Sequence, residues 1–110
     1  MSKRIILPLL GLALSAALFT TGVAGAATKT VTLKDIAFSP KSLTVSKGST
    51  VTFAFRDGDT VHNVTSRASK RFSTIGNRSS GSKSRQFTKA GTYRYACTLH
   101  PGMTGRIVVR

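Results

Sequence analysis

The chain has 110 residues, enough for one ordinary domain, and carries seventeen Lys and Arg against three acidic residues for a formal net charge of +14. Its single cysteine, Cys97, excludes an internal disulfide, and its two histidines, His62 and His100, are too few for a centre that gathers several metals on imidazole. So basic a chain favours association with something anionic.

In chain order, Lys3 and Arg4 form a positive start, the run from Ile5 to Phe19 is apolar apart from Ser15, and Ala24-Gly25-Ala26 is a small-residue cleavage signal. A retained membrane anchor is the competing reading. The apolar core is short, is broken by Pro8 and Gly11, and has no charged stop-transfer flank. Residues 1–26 are therefore expected to be a removed signal peptide, and residues 27–110 the mature domain, exported to a periplasm or to the extracellular or cell-envelope space. Without Lys3 and Arg4 the chain keeps fifteen basic residues against Asp35, Asp57 and Asp59, a net charge of +12. An acidic protein partner or an anionic envelope surface would answer that charge. Export disfavours a specific nucleic-acid partner, and a monomer is expected. A lone exported thiol is open to oxidation unless something occupies its sulfur, and a metal would do so.

The mature part lacks a 3.6-residue period and is rich in Thr, Val, Ser and Phe with short-range alternation, which predicts a nearly all-β domain. Val31 and Leu33 alternate with polar residues, Leu43 and Val45 follow Pro40, and Val51, Phe53 and Phe55 share one face after the Lys47-Gly48 turn. Asp57-Gly58-Asp59 is a turn signal, and a further strand is expected from Val61 to Ser66, entering at His62. Residues 67–84 are rich in Ser, Arg and Gly, with Phe72 and Ile75 as the only large apolar side chains; irregular structure with one short edge strand is expected there. Arg85 to Thr88 reads as a strand, Tyr93, Tyr95 and Cys97 fall on one face of the next, and Arg106 to Val109 form the last. About seven short strands with no room for a crossover helix predict a two-sheet antiparallel Greek-key β-sandwich.

The chemistry concentrates near the end, in Cys97-Thr98-Leu99-His100-Pro101-Gly102-Met103. A thiolate, an imidazole and a thioether share one tight loop, which Pro101 and Gly102 bend. With His62, the chain holds two His, one Cys and a nearby Met, the ligand inventory of a trigonal copper site with a long axial sulfur. Taken singly, His62 reads equally as a strand-end surface residue and Met103 as core; together with Cys97 and His100 they read as ligands. Zinc would accept the same Cys and His donors, but a thioether is a poor fourth ligand for it.

Phe38-Ser39-Pro40 with Leu43, Val45 and Gly48, then Val61-His62-Asn63-Val64, then Ala90-Gly91-Thr92-Tyr93, then Cys97-x-x-His100-Pro101-x-Met103 make an ordered set. In that set the region from Phe38 onward resembles the cupredoxins, the plastocyanin and azurin family of blue-copper proteins. The short spacing from His100 to Met103 is similar to the amicyanin-like members. The resemblance implies a cupredoxin-like fold and one copper ion cycling between Cu(I) and Cu(II). It further implies that His62 and His100 bind through Nδ1, with Cys97 supplying the short copper bond and Met103 on the axis. It makes Asn63 an outer-shell residue whose side chain ties the loop at Thr98, and it puts an electron port at Leu99, His100 and Pro101.

The implied role is an exported one-electron carrier between redox partners. A copper-binding or copper-delivery module is the alternative. Catalysis by this chain alone is not expected, because related oxidases and nitrite reductases need further histidine-rich copper centres. Asn63-Val64-Thr65 and Asn77-Arg78-Ser79 match glycosylation sequons, the first discounted because Asn63 is expected to be buried beside the metal.

Overall fold

A computed structural model describes residues 25–110. Most of the expected signal peptide, 1–26, lies outside the described residues. Among those described, no helix is long and apolar enough to cross a membrane.

Among the described residues nine strands follow one another: β1 (Thr28–Lys34), β2 (Ala37–Ser39), β3 (Ser42–Val45), β4 (Ser49–Phe55), β5 (His62–Arg67), β6 (Ile75–Arg78), β7 (Ser82–Phe87), β8 (Gly91–Ala96) and β9 (Thr104–Val109). They form a four-stranded sheet in the order β2-β1-β4-β7 and a five-stranded sheet in the order β3-β9-β8-β5-β6. The all-β sandwich matches the expectation, with one refinement of pairing. β1 runs parallel to β4 and β3 parallel to β9, while the other pairs are antiparallel, so both sheets are mixed. Periodicity decides which face of a strand is buried and is silent about which strand lies beside it.

Alternation does its work where it was read. Val31 and Leu33 of β1, Val51, Phe53 and Phe55 of β4, and Tyr93 and Tyr95 of β8 with the adjoining Cys97 are all buried in one core with Ile107 and Val109 of β9. Each fully buried large side chain contributes about 1.5–3 kcal/mol. Tyr95 stands at the centre, edge-on to Phe38 at 4.8 Å and to Phe53 at 5.4 Å between ring centroids. Its cross-strand neighbour is Gly105, where a Cβ would fall 2.7 Å from a Tyr95 ring carbon, so only glycine lets the ring lie there. The Tyr95 hydroxyl is buried without a partner, and burial pushes its pKa up.

The segment 67–84 is more ordered than its composition suggests. β6 is the expected short strand at the sheet edge, but β7 begins at Ser82, earlier than the Arg85 read from sequence. Ser82 to Ser84 are exposed, so no apolar alternation announces them. Pairing with β4 holds them, aided by a 2.8 Å hydrogen bond between Thr52 and Ser84 side chains. Before β6, Phe72 inserts among Phe53, Phe87 and Tyr95, reaching both sheets. Its amide donates to Ser66 Oγ at 3.1 Å, Arg71 donates to the Ser66 carbonyl at 3.0 Å, and Arg85 donates to the Ser73 carbonyl at 2.7 Å. Basic residues here cap main-chain carbonyls that no strand satisfies.

Candidate metal centre

β5 supplies the first donor. A regular strand turns alternate side chains inward, yet His62, Asn63 and Val64 are all buried. Pairing with β6 shifts register between His62 and Val64, and such irregularities re-aim side chains beside functional sites. The imidazole of His62 donates from Nε2 to Asp57 Oδ2 at 2.8 Å. Asp57 accepts two more hydrogen bonds, from the amides of Asp35 at 3.1 Å and Ile36 at 3.0 Å. The bond from His62, followed by that from Ile36, holds the Asp57 carboxyl down at about 2, so it is an anion at neutral pH. A carboxylate on Nε2 selects the tautomer whose lone pair is on Nδ1. Nδ1 lies 3.8 Å from Cys97 Sγ.

Asp57 was read from sequence only as part of a turn. It also braces the turn from β1 to β2, where Asp35 and Ile36 both adopt a φ of 54°, uncommon for a β-branched residue such as isoleucine.

The β8–β9 connection supplies the other donors. Cys97 follows β8 directly and is buried. Its amide donates to the Met103 carbonyl at 2.9 Å, and the Met103 amide donates to the His100 carbonyl at 3.1 Å. These bonds close the loop on itself, and Gly102, at a φ of 84°, supplies the left-handed turn that Pro101 leads into. Cys97 Sγ lies 3.5 Å from His100 Nδ1. The donor atoms of His62, Cys97 and His100 all fall within 4.8 Å of one another. Met103 is buried at the far end of the loop, within the core.

Asn63 ties the two halves together. Its Nδ2 donates to Thr98 Oγ1 at 2.8 Å and to Asn77 Oδ1 at 2.9 Å, while its Oδ1 accepts from the Thr98 amide at 3.1 Å and from Thr65 Oγ1 at 2.8 Å. Both donors and both lone pairs of the amide are thus used. Through Thr98 the side chain joins β5 to the loop that begins at Cys97. Asn77 was noticed only as a sequon.

Solvent reaches this end of the sandwich through apolar side chains. The large apolar residues exposed among the described residues are Ile36, Val61 and Leu99. Val61 precedes His62, Leu99 precedes His100, and Ile36 donates to the carboxylate that holds His62. His100 is half-buried and Pro101 exposed. Leu99 and Pro101 were read from sequence, whereas Ile36 and Val61 come from other loops and carry no local signal.

One thiol facing two Nδ1 atoms, one of them oriented by a carboxylate, suits a metal that takes both soft sulfur and imidazole, and copper is such a metal. A family model described as the cupredoxin-like domain matches residues 5–109. The chain belongs to the cupredoxin-like family. Solved structures agree with this cupredoxin's fold. A novel purple cupredoxin from Nitrosopumilus maritimus superposes with a TM-score of 0.67 at 21% identity, covering 74% of this chain and 99% of that one. A Met-to-Gln mutant of amicyanin, Cu(I), gives 0.67 at 32% identity, covering 79% and 84%. A reduced Trp-to-Tyr mutant of amicyanin gives 0.66 at 33% identity, covering 74% and 80%. Among curated proteins compared by sequence, none matches.

Proposed function

We propose that this cupredoxin is an exported one-electron carrier whose copper is held by His62, Cys97, His100 and Met103. The observation that carries the reading is the buried Cys97 thiol lying 3.5 and 3.8 Å from the Nδ1 atoms of His100 and His62. Copper supplies a Cu(I)/Cu(II) couple at such a donor set. The residues supply rigidity. Asp57 holds the His62 ring in one tautomer and orientation, Asn63 clamps Thr98 beside Cys97, and the loop's own amides keep His100 and Met103 in register. A site that does not rearrange between oxidation states exchanges electrons with little reorganisation. His100, half-buried between the exposed Leu99 and Pro101 in sequence, serves as the port, where a partner covers a small apolar area in a transient encounter. In this reading the leader 1–26 directs the chain to the envelope or beyond it, and the partner presents an acidic surface.

Visible absorption of the purified protein with stoichiometric Cu(II) tests the assignment. An intense thiolate-to-copper band in the red region is expected, and its absence with copper bound would remove the blue-copper reading. Electron self-exchange that outpaces copper exchange separates a carrier from a delivery module; the reverse order would favour delivery.

A further inference from the structure

The outer face of the five-stranded sheet carries a row of like charges. Arg67 on β5 stands opposite Arg94 on β8, and Arg94 stands opposite Arg106 on β9. All three are exposed. Adjacent strands lie about 4.8 Å apart, so the row spans roughly 10 Å. Like charges directly opposite one another weaken a sheet, and the chain offers them no counter-ion. Its three acidic side chains belong to other connections, Asp35 between β1 and β2 and Asp57 and Asp59 between β4 and β5. Among the described residues the one ion pair is that of His62 with Asp57.

Nor are these arginines employed as several others are. Arg71, Arg78 and Arg85 donate to main-chain carbonyls, and Arg106 reaches only a neutral hydroxyl, Ser42 Oγ at 2.9 Å. Arg67 and Arg94 make no side-chain hydrogen bond to another described residue. Over the row lies an open groove of about 560 Å³, lined by Lys41, Arg67, Arg94 and Arg106 and, toward the metal centre, by Ala96 and Thr104. Ala96 immediately precedes Cys97 and Thr104 immediately follows Met103. The groove therefore ends at the two residues that flank the loop carrying His100.

We infer that this groove docks a carboxylate-rich segment of the redox partner, whose acidic side chains pair with Arg67, Arg94 and Arg106 while the partner's apolar surface covers the port. The inference rests on the electron-carrier reading and gives the partner a chemistry and a place to bind. Acidic residues three or four apart on a helix have Cβ atoms about 5–6 Å from one another, close to the spacing of the row. Guanidinium pairs with carboxylate through two parallel hydrogen bonds, which sets orientation as well as affinity. An anionic bilayer engaging the same face would lay lipid across the neighbouring port and obstruct exchange, so a protein segment is the occupant the geometry favours.

An oligoglutamate peptide titrated into the copper-loaded, reduced protein, followed by amide chemical shifts, tests the inference. Saturable shifts centred on Arg67, Arg94, Thr104 and Arg106 are expected. The double variant Arg94→Gln, Arg106→Gln should weaken the peptide about tenfold, the size that two strong surface ion pairs imply. Lys29→Gln with Lys34→Gln removes the same charge from the other sheet and should weaken it much less. Equal losses in the two double variants, or shifts scattered over all basic positions, would mean that net charge alone acts and would overturn the inference. So would binding to phosphatidylglycerol vesicles that needs Arg94 and Arg106 while the peptide fails to bind. The visible band of the Cu(II) protein is read on the same samples. Its absence would sink the carrier reading whatever the peptide does, while a protein with the band and no localised peptide binding would sink only the groove.

Discussion

At the metal pole of the sandwich the polar groups answer one another, whereas on the outer face of the five-stranded sheet they do not. Asp57 takes hydrogen bonds from His62, Asp35 and Ile36, and the Asn63 amide uses all of its bonding capacity. A short distance along β8 and β9, Arg94 faces two other arginines across the strands with no acid between them. Buried polar groups must be satisfied internally because water cannot reach them, while an exposed cation is held by solvent until a partner arrives. The pole is built to stay as it is, and the flank is built to receive something.

Variants can break this contrast. The largest effect is expected of Cys97→Ser, which removes the thiolate on which the visible band depends. The band should vanish even if some copper stays bound, and peptide binding at the flank should persist; a protein that stayed blue would refute the ligand assignment. Asn63→Ala should be next, because it leaves Thr65, Asn77 and both Thr98 groups without a partner. At about 1 kcal/mol for each bond lost, the cost is roughly 3–4 kcal/mol, measurable by denaturant unfolding of the metal-free protein. A loss below about 1 kcal/mol would show that water replaces the side chain without penalty.

Changes at Met103, the proposed axial ligand, and at Asp57 behind His62 test the pole more finely. Met103→Leu removes a donor that helps Cu(II) more than Cu(I), so the reduction potential should rise while the site stays blue; Met103→Gln offers a harder oxygen and should lower it. Voltammetry of the three proteins at one pH decides, and equal potentials would leave Met103 as packing alone. Asp57→Asn keeps an acceptor for Nε2 but removes the negative charge behind the His62 ring, which should raise the potential to a smaller extent.

The smallest effect belongs to the flank. Arg94→Gln takes the central charge out of the row and should stabilise the protein by roughly 0.2–1 kcal/mol at low salt, less as salt screens the repulsion. Thermal unfolding across a salt series reads this directly. Destabilisation would mean that the aliphatic part of Arg94 contributes packing that outweighs the repulsion.

Strands whose two faces differ are legible in the residue pattern alone. Val31 and Leu33, Val51 with Phe53 and Phe55, and Tyr93 with Tyr95 and Cys97 alternate because one face meets the core, and burial writes that period into the chain. The residue pattern also places Cys97, His100 and Met103 in one loop, since their proximity is local. Tertiary structure alone decided the rest. β2 is three residues long and the start of β7 is exposed, so neither leaves a periodic trace. The parallel pairings of β1 with β4 and β3 with β9, Asp57 beneath His62, Asn77 behind Asn63, and three arginines in one row are matters of register between segments distant along the chain. Local pattern records which side of a strand avoids water; it carries no information about which other strand will supply the neighbour.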